Sequence, residues 1–185
     1  MSAVQAPTIR LNLGSGELPL AGYVNIDRKT GREAYPLPYL PDGSVSEVRA
    51  AHVLEHFGFL EVPSVLREWV RVLQVGGWLR IAVPDLDWIV RKMVGSDYPV
   101  VPADTPTEAL VSIQSVDEDG VVVPVENYLF GGQQDADDFH KIAFNEWKLS
   151  ALMRSVGLVG IRRWTSETND CASYAVSLNL EGWKA

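Results

Sequence analysis

The pentapeptide HVLEH, residues 52–56, carries residue types that bind metals and transfer protons. Its pattern is that of the inverted zinc-protease motif, in which His52 and His56 would bind zinc and Glu55 would be the general base. Such a motif requires an α-helix, because only helical spacing brings both imidazoles to one face. The residues before it, SVSEVRAA, are typical of a strand, and HFGF interrupts any helix soon after.

Zinc also needs a third protein ligand, and the chain has only one other histidine, His140. An acidic residue stays open as the third donor. On this basis we predict no metal site. His56 follows a strand end, where open α/β sheets bind their ligands, and it is equally well interpreted as a hydrogen-bonded structural residue.

His140 lies in the segment DADDFHK, beside Asp135, Asp137 and Asp138. Nearby carboxylates raise the pKa of an imidazole and favour it as a proton acceptor. His140 is therefore a candidate general base, with His56 as the second candidate. The alternative for His140 is a solvated acidic loop with no chemical role.

A glycine turn, Gly14-Ser15-Gly16, directly follows an apolar strand pattern. A nicotinamide-binding fingerprint would have its third glycine at position 19, which is Pro19, and would need a helix to receive the pyrophosphate. Only ELPLAG separates the turn from the next strand, whereas a crossover helix needs about ten residues. The turn therefore favours a ligand without phosphates and disfavours a dinucleotide or nucleotide-sugar enzyme.

S-adenosylmethionine is such a ligand. Its amino-acid end needs the close backbone approach that paired glycines permit. Its ribose diol needs a pair of acceptor atoms, which a carboxylate at the end of the next strand provides, and Asp27 lies there.

The predicted secondary structure alternates between strands and helices. Strands are predicted over 8–14, 23–27 and 45–53. Apolar spacing predicts a helix over 63–77 that ends at Gly76-Gly77, and the next residues predict a buried strand over 78–84. Asp85 is predicted to cap a following helix that Gly95 ends. This order predicts an α/β domain with a largely parallel sheet.

Residues 96–140 break the alternation and are rich in Pro, Gly and Asp, with one short helix predicted after Thr105. A segment of this kind is usually functional, so we predict a lid or substrate-side insertion within a single domain of residues 1–185. The alternation then returns. Asn145 is predicted to cap a helix that Gly157 ends, and two closing strands are predicted to form an antiparallel hairpin, over 158–164 and 173–180.

Four stretches, taken in order, resemble class I S-adenosylmethionine-dependent methyltransferases of the methyltransferase type 11 group. They are LNLGSG (11–16), EAYPLPY (33–39), PDGSVSEVRAAHVLEHF (41–57) and RVLQVGGWLRIAVPDLD (71–87). The resemblance spans most of residues 8–95. It implies a Rossmann-like fold, S-adenosylmethionine as cofactor and methyl transfer to a small-molecule acceptor. The alternative is a noncatalytic S-adenosylmethionine-binding or scaffold domain.

The resemblance also implies a cofactor site, residue by residue. Residues 14–16 would line the methionine moiety, Asp27 would bind the ribose hydroxyls with Arg28 beside it, and Glu33 and Ala34 would border the adenine. The implied set is Asn12, Leu13, Gly14, Ser15, Gly16, Asp27, Arg28, Glu33, Ala34, His52 and Leu54.

The chain departs from the family pattern at three points. The acid common in the first strand is Asn12 here, and the family's third glycine is Leu18. The stretch from Gly16 to Glu33 is too short for the two crossover helices and third strand of the full fold. The adenine side is therefore predicted to be abbreviated.

Composition bounds the partners and the compartment. The formal net charge of −8 argues against sequence-independent nucleic-acid binding, which needs cations to displace counterions from phosphates. No stretch is apolar enough to span a bilayer, and MSAVQAPTIR lacks a signal-peptide core. Cys171 is the single cysteine, so no internal disulfide can form. These features predict a cytoplasmic protein without a membrane partner; they predict neither the acceptor nor the oligomeric state.

Overall fold

The computed structural model describes residues 9–97, 102–106, 115–117, 122–123 and 125–185. The main sheet contains β1 (Ile9–Leu13), β2 (Val24–Ile26), β3 (Val45–Ala51), β4 (Leu73–Pro84), β8 (Leu158–Arg163) and β9 (Ser177–Lys184). A second, small sheet contains β5 (Ser96–Asp97), β6 (Ser115–Asp117) and β7 (Val122–Val123). The α-helices of the described residues are α1 (Val62–Val72), α2 (Leu86–Val94), α3 (Val125–Phe130) and α4 (Glu146–Ser155).

The main sheet has the order β2-β1-β3-β4-β9-β8. The first four strands are parallel, and β9 is antiparallel to both β4 and β8. This confirms the predicted α/β class, with a mostly parallel sheet that an antiparallel hairpin completes. Between β1 and β3 the chain forms no α-helix and only one further strand, β2, so the predicted abbreviation is also confirmed.

One face of the main sheet forms the hydrophobic core. Alternate residues of the parallel strands, such as Leu11, Val48 and Leu79, are fully buried against α1 and α4. Trp69 of α1 is the largest of the fully buried side chains, and its indole N–H donates to the Ala34 carbonyl oxygen at 2.8 Å. The buried donor is thereby satisfied, as it must be in an apolar interior.

The opposite face of the sheet carries charges that pair from strand to strand. Glu47 accepts from Arg10 at 2.9 Å and from Arg80 at 3.1 Å, and Glu181 accepts from Arg80 at 2.9 Å and from Arg162 at 2.8 Å. Residues 164–176 cover part of this face, and they place Ala172 against alanines of β3 and β4. A loop therefore lies where a full three-layer α/β fold has helices.

Local capping explains where two of the helices begin. The Asp85 carboxylate accepts from the amide of Asp87 at 3.0 Å, and the Asn145 side chain accepts from the amide of Lys148 at 3.0 Å. Each side chain satisfies an amide that the first helical turn leaves free. Both predicted N-caps are confirmed.

The predicted bounds of three elements are wrong: the end of α1, the start of β4, which is Leu73 and not residue 78, and the last strand. Helix α1 ends at Val72 and not at Gly76-Gly77, because Leu73 already pairs with Val45 in the sheet and β4 runs on through the glycines. The last strand covers Ser177–Lys184 and not 173–180, because a 3-10 turn occupies Cys171–Ser173.

The described part of the predicted insertion includes helix α3 and the small sheet. Helix α3 packs on α2 through Ile89 and Val125, and the rings of Trp88 and Tyr128 lie 6.0 Å apart. The helix predicted after Thr105 falls outside the described residues. Of the helices that the structure does describe, none has the length and apolar character needed to cross a membrane.

Candidate active site

The carboxyl ends of β1, β2, β3 and β4 lie at one edge of the parallel sheet, and each continues into a polar or glycine-rich loop. Gly14 follows β1, Asp27 follows β2, His52 follows β3 and Asp85 follows β4. Ligands of open α/β sheets bind at this edge. The structure therefore brings the predicted cofactor loops to a common place.

The glycine turn has the conformation that only glycine adopts at no cost. Gly14 and Gly16 have φ of 63° and 53°. A Cβ on Gly14 would collide with the Val53 side chain, whereas a Cβ on Gly16 would meet no atom within 4 Å. The turn is closed toward the core at Gly14 and open at Gly16, and the open side can admit the backbone approach that an amino-acid ligand needs.

Asp27 lies directly beside this open turn. Its Oδ2 accepts from the Gly16 amide at 2.8 Å, and its Oδ1 accepts from the Lys29 amide at 2.9 Å. A carboxylate oxygen has two lone pairs, so each oxygen keeps one acceptor site. The same side chain thus holds the turn and retains the acceptor pair that a ribose diol requires.

Arg28 connects this region with the segment after α3. Its guanidinium lies 2.5 Å from the Asp137 carboxylate, and both side chains are about half exposed. Hydrogen bonding to Asp137 raises the pKa of Arg28, with a smaller contribution from Glu33 nearby. Of the two residues predicted at the adenine, Glu33 is exposed, while Ala34 packs against the core.

Three other predicted cofactor residues turn their side chains away from open space. Leu13 and Leu54 are fully buried in the core, so only their backbone is left to meet a ligand. Asn12 is buried within the sheet, where it donates to Asn25 at 2.9 Å and accepts from Arg49 at 3.2 Å. Arg49 in turn pairs with Asp170 at 2.6 Å, which links the first strands to the loop on the far face.

His52 has a strained backbone, with φ of 54°, and a fixed ring. The Ser177 hydroxyl donates to the Cys171 carbonyl at 2.6 Å, so it must accept from Nε2 of His52 at 2.7 Å. The lone pair of His52 then lies on Nδ1, 3.4 Å from Oε1 of Glu55. Burial lowers the pKa of His52 to about 4, so this ring is neutral at pH 7.

Glu55 is the least expected residue of the region. Its side chain is 1% exposed, and neither carboxyl oxygen has a hydrogen-bond partner. Burial raises its pKa to about 8. A buried polar group without a partner is uncommon and costly. In the sequence, the HVLEH motif is the feature that points to Glu55.

His56 and His140 meet although they are far apart in the sequence. Their ring centroids are 4.9 Å apart, at an interplanar angle of 80°. Nδ1 of His56 donates to the Phe139 carbonyl at 3.2 Å, and Nδ1 of His140 donates to the Tyr128 carbonyl at 3.0 Å. Because the N–H lies on Nδ1 in each neutral ring, both Nε2 atoms carry a lone pair.

The expected rise in the pKa of His140 is wrong. Burial lowers the pKa of this ring, and the opposing effects of the hydrogen bond to Tyr128 and of Asp138 are smaller. Burial likewise lowers the pKa of His56. Both rings are consequently neutral at pH 7, and each can accept a proton through Nε2.

The segment 131–141 holds His140 in place. Gly131 has φ of 80°, and a Cβ there would collide with the Asp138 carbonyl. The amide of His140 donates to Phe130 at 3.1 Å, and the amide of Lys141 donates to the Glu55 carbonyl at 2.7 Å. These backbone contacts fix the segment against the loop after β3.

The inverted zinc-protease geometry is not formed. Residues 54–56 make a single 3-10 turn, and His52 precedes it in a left-handed conformation. His52 and His56 therefore do not share a helical face, as the strand-like context predicted. The sequence could not show that the fold gathers a different set, Glu55, His56 and His140.

A second concave surface, of about 680 Å³, lies over the charged face of the sheet. Its lining includes Arg10, Arg80, Arg162 and Trp164. These three arginines are already paired with Glu47 or Glu181. We therefore take the strand-end loops, and not this groove, as the candidate active site.

Comparison with known proteins gives a family match over part of the chain, and a fold. The model of a family described as a methyltransferase domain matches residues 19–81. The comparison with curated proteins finds no match.

Solved structures similar to the chain include S-adenosylmethionine-dependent methyltransferases. One, from Archaeoglobus fulgidus, has a TM-score of 0.54 at 11% identity, over 97% of this chain and 87% of that one. Another, from Thermotoga maritima and described as a possible histamine N-methyltransferase, has a TM-score of 0.52 at 15% identity, over 98% and 84%. A Pyrococcus horikoshii protein has a TM-score of 0.54 at 15% identity, over 100% and 85%. At these identities the likeness establishes the fold alone, which is the Rossmann-like α/β fold of these proteins.

Proposed function

We propose that this protein is a class I S-adenosylmethionine-dependent methyltransferase and that it methylates a small-molecule acceptor. Its fold and its match to a methyltransferase domain support this proposal. The observation that carries the proposal is the open glycine turn beside Asp27. It combines a backbone free of side chains with a carboxylate that keeps two acceptor sites. Such a pair suits the amino-acid and ribose ends of the cofactor and offers nothing to a pyrophosphate.

When bound, S-adenosylmethionine supplies a methyl group on a sulfonium, which an acceptor takes by in-line displacement. The protein mainly has to hold the acceptor in line with that group. In our proposal Gly14, Ser15 and Gly16 approach the methionine moiety, Asp27 binds the ribose hydroxyls, and Arg28 lies beside it. Glu33 and Ala34 border the adenine. The backbone of Leu13, His52 and Leu54 lines the ligand crevice.

The acceptor side is proposed to include His140 and His56. Both rings have an N–H fixed by a backbone carbonyl and a lone pair on Nε2. A general base needs such a lone pair within reach of the acceptor proton. His140 is the first candidate because it lies on the segment that the proposal treats as a lid, residues 96–140.

Two observations favour a small acceptor over a nucleic acid. The net charge is −8, and the arginines of the charged sheet face already pair with glutamates. Neither provides the unpaired cations that a phosphate backbone attracts. The proposed location is cytoplasmic, on the composition alone.

A thermal-shift screen tests the cofactor, because a ligand that binds the native state raises its apparent stability. S-adenosylmethionine and S-adenosylhomocysteine should raise the melting temperature, and NAD should not. Formation of S-adenosylhomocysteine is then measured with acceptors that carry hydroxyl, amine or activated carbon groups. A shift with NAD alone would contradict the proposal, and cofactor binding without turnover on any acceptor would favour a noncatalytic binding domain.

A further inference from the structure

Three ligand groups converge at the acceptor side of the candidate site. Glu55, His56 and His140 each offer one ligand atom, and these atoms all lie within 4.8 Å of one another. The histidines come from segments 84 residues apart, so no local spacing rule produces the cluster. It exists because residues 131–141 dock on the loop after β3.

Each member of the cluster has a ligand atom that is free to bind an ion. The Glu55 carboxyl is almost fully buried and has no hydrogen-bond partner, although Nδ1 of His52 lies 3.4 Å from its Oε1. Nδ1 of His56 and of His140 donates to a backbone carbonyl, at 3.2 and 3.0 Å, which leaves Nε2 as the free nitrogen. Metal-binding histidines typically donate their other N–H in this way, which fixes the ring and its tautomer.

We propose that Glu55, His56 and His140 bind a divalent transition-metal ion. Two imidazoles and one carboxylate suit zinc, cobalt or nickel better than magnesium or calcium, which prefer oxygen ligands. The ion would also supply the partner that the buried carboxyl of Glu55 lacks. Three protein ligands leave a further coordination position for water or for an acceptor oxygen.

The cluster needs only a small closure to fit such an ion. Around zinc, at bond lengths of ~2.0–2.2 Å, tetrahedral ligand atoms lie ~3.4 Å apart. The present limit of 4.8 Å is longer than this, so the three side chains must move closer together when the ion binds. His52 is not part of this converging set: its Nε2 donates to Ser177, and its Nδ1 lies 3.4 Å from Oε1 of Glu55.

This inference concerns binding and does not rest on methyl transfer. Nε2 of His140 has one lone pair, so His140 cannot hold the ion and act as a base at the same time. Cation binding is therefore measured without acceptor, and cofactor binding is measured separately with S-adenosylhomocysteine. Either result can fail while the other succeeds.

The experiment uses the full chain, purified without a histidine tag and treated with a chelator. Cobalt(II) is titrated in while its visible absorption is followed, and zinc(II) is then added as a competitor. We expect one cobalt per chain, displaced by one zinc. Glu55→Gln, His56→Gln and His140→Gln should each weaken the ion's binding more than about tenfold, at least the scale of losing an outer-shell partner.

The matched control is Glu61→Gln, which removes an exposed carboxylate just before α1 and should keep the affinity. Circular dichroism of each variant checks that the fold is intact. The proposal is overturned if the wild type binds neither ion more tightly than about 1 mM. It is equally overturned if Glu61→Gln loses as much affinity as the three ligand variants, or if those variants bind like the wild type.

Discussion

Gly14 is the residue of the glycine turn that lies against the hydrophobic core. Its φ is 63°, and a Cβ would collide with Val53. Gly22 has φ of 80° but has open space where a Cβ would lie. The two glycines share the backbone cost of a left-handed alanine, about 1–2 kcal/mol, and differ only in the collision.

We therefore expect Gly14→Ala to destabilise the protein more than Gly22→Ala does, by the further 1–3 kcal/mol or so typical of overpacking. Chemical denaturation of both variants measures the difference. Val53→Ala in the Gly14→Ala background should recover part of the loss. Equal destabilisation of the two single variants would show that Val53 does not confine the turn.

Asp27 has a structural and a proposed binding role, and its variants separate them. Asp27→Ala should weaken S-adenosylhomocysteine binding by roughly 1.5–3 kcal/mol, the scale of hydrogen bonds to a charged group. Asp27→Asn keeps one acceptor oxygen and should lose less. Calorimetry on folded protein measures both, and wild-type affinity in Asp27→Ala would rule out the ribose contact.

His140 is proposed to act on the acceptor and not on the cofactor. His140→Ala should lower turnover by about 10²–10⁴-fold, the usual contribution of general acid–base catalysis, with little change in S-adenosylhomocysteine affinity. Added imidazole should restore part of the turnover if the lost group is a base. A variant that turns over like the wild type, or that loses cofactor affinity to the same extent, would contradict this role.

At the scale of elements, the middle of segment 126–141 is weakly held, because residues 132–137 are exposed. The segment meets the rest of the described structure mainly near its two ends, where Tyr128 meets Trp88 and where His56 and Glu55 bond to the backbone of Phe139 and Lys141, and through the surface pair of Asp137 with Arg28. Lids are drawn from the less stable parts of a domain. This segment should therefore exchange its amide hydrogens faster than α1, whose apolar face is buried in the core.

Hydrogen exchange with and without S-adenosylhomocysteine tests the lid. We expect the ligand to slow exchange across 126–141, because Arg28 follows Asp27 directly and meets Asp137. Helix α1 is the internal control and should exchange slowly in both states. Protection of 126–141 that is the same with and without ligand would end the lid proposal.

Elements that depend on local chemistry were predictable from the sequence. Asp85 and Asn145 cap their helices because a short acceptor side chain directly precedes an apolar periodic run. The end of α1 was not predictable. Leu73 leaves the helix because it pairs with Val45, 28 positions away, and a glycine pair farther on gives a misleading stop signal.

At the scale of the whole molecule, the order of motifs was enough for the fold but not for the site. The glycine turn, Asp27 and HVLEH each follow a strand, and parallel strands bring their carboxyl ends together. The meeting of His56 with His140 depends on how a long insertion folds back, which no spacing in the sequence encodes. The burial that lowers the pKa of His140 has the same origin.

We propose that the strand-end loops bind S-adenosylmethionine. A crystal structure of the protein with S-adenosylhomocysteine would show whether they do. We predict the amino-acid end of the ligand beside Gly16 and its ribose hydroxyls on the Asp27 carboxylate, with the sulfur facing His56 and His140. Ligand bound elsewhere, such as in the groove over Arg80 and Trp164, or no ligand at saturating concentration, would show that these loops do not bind the cofactor.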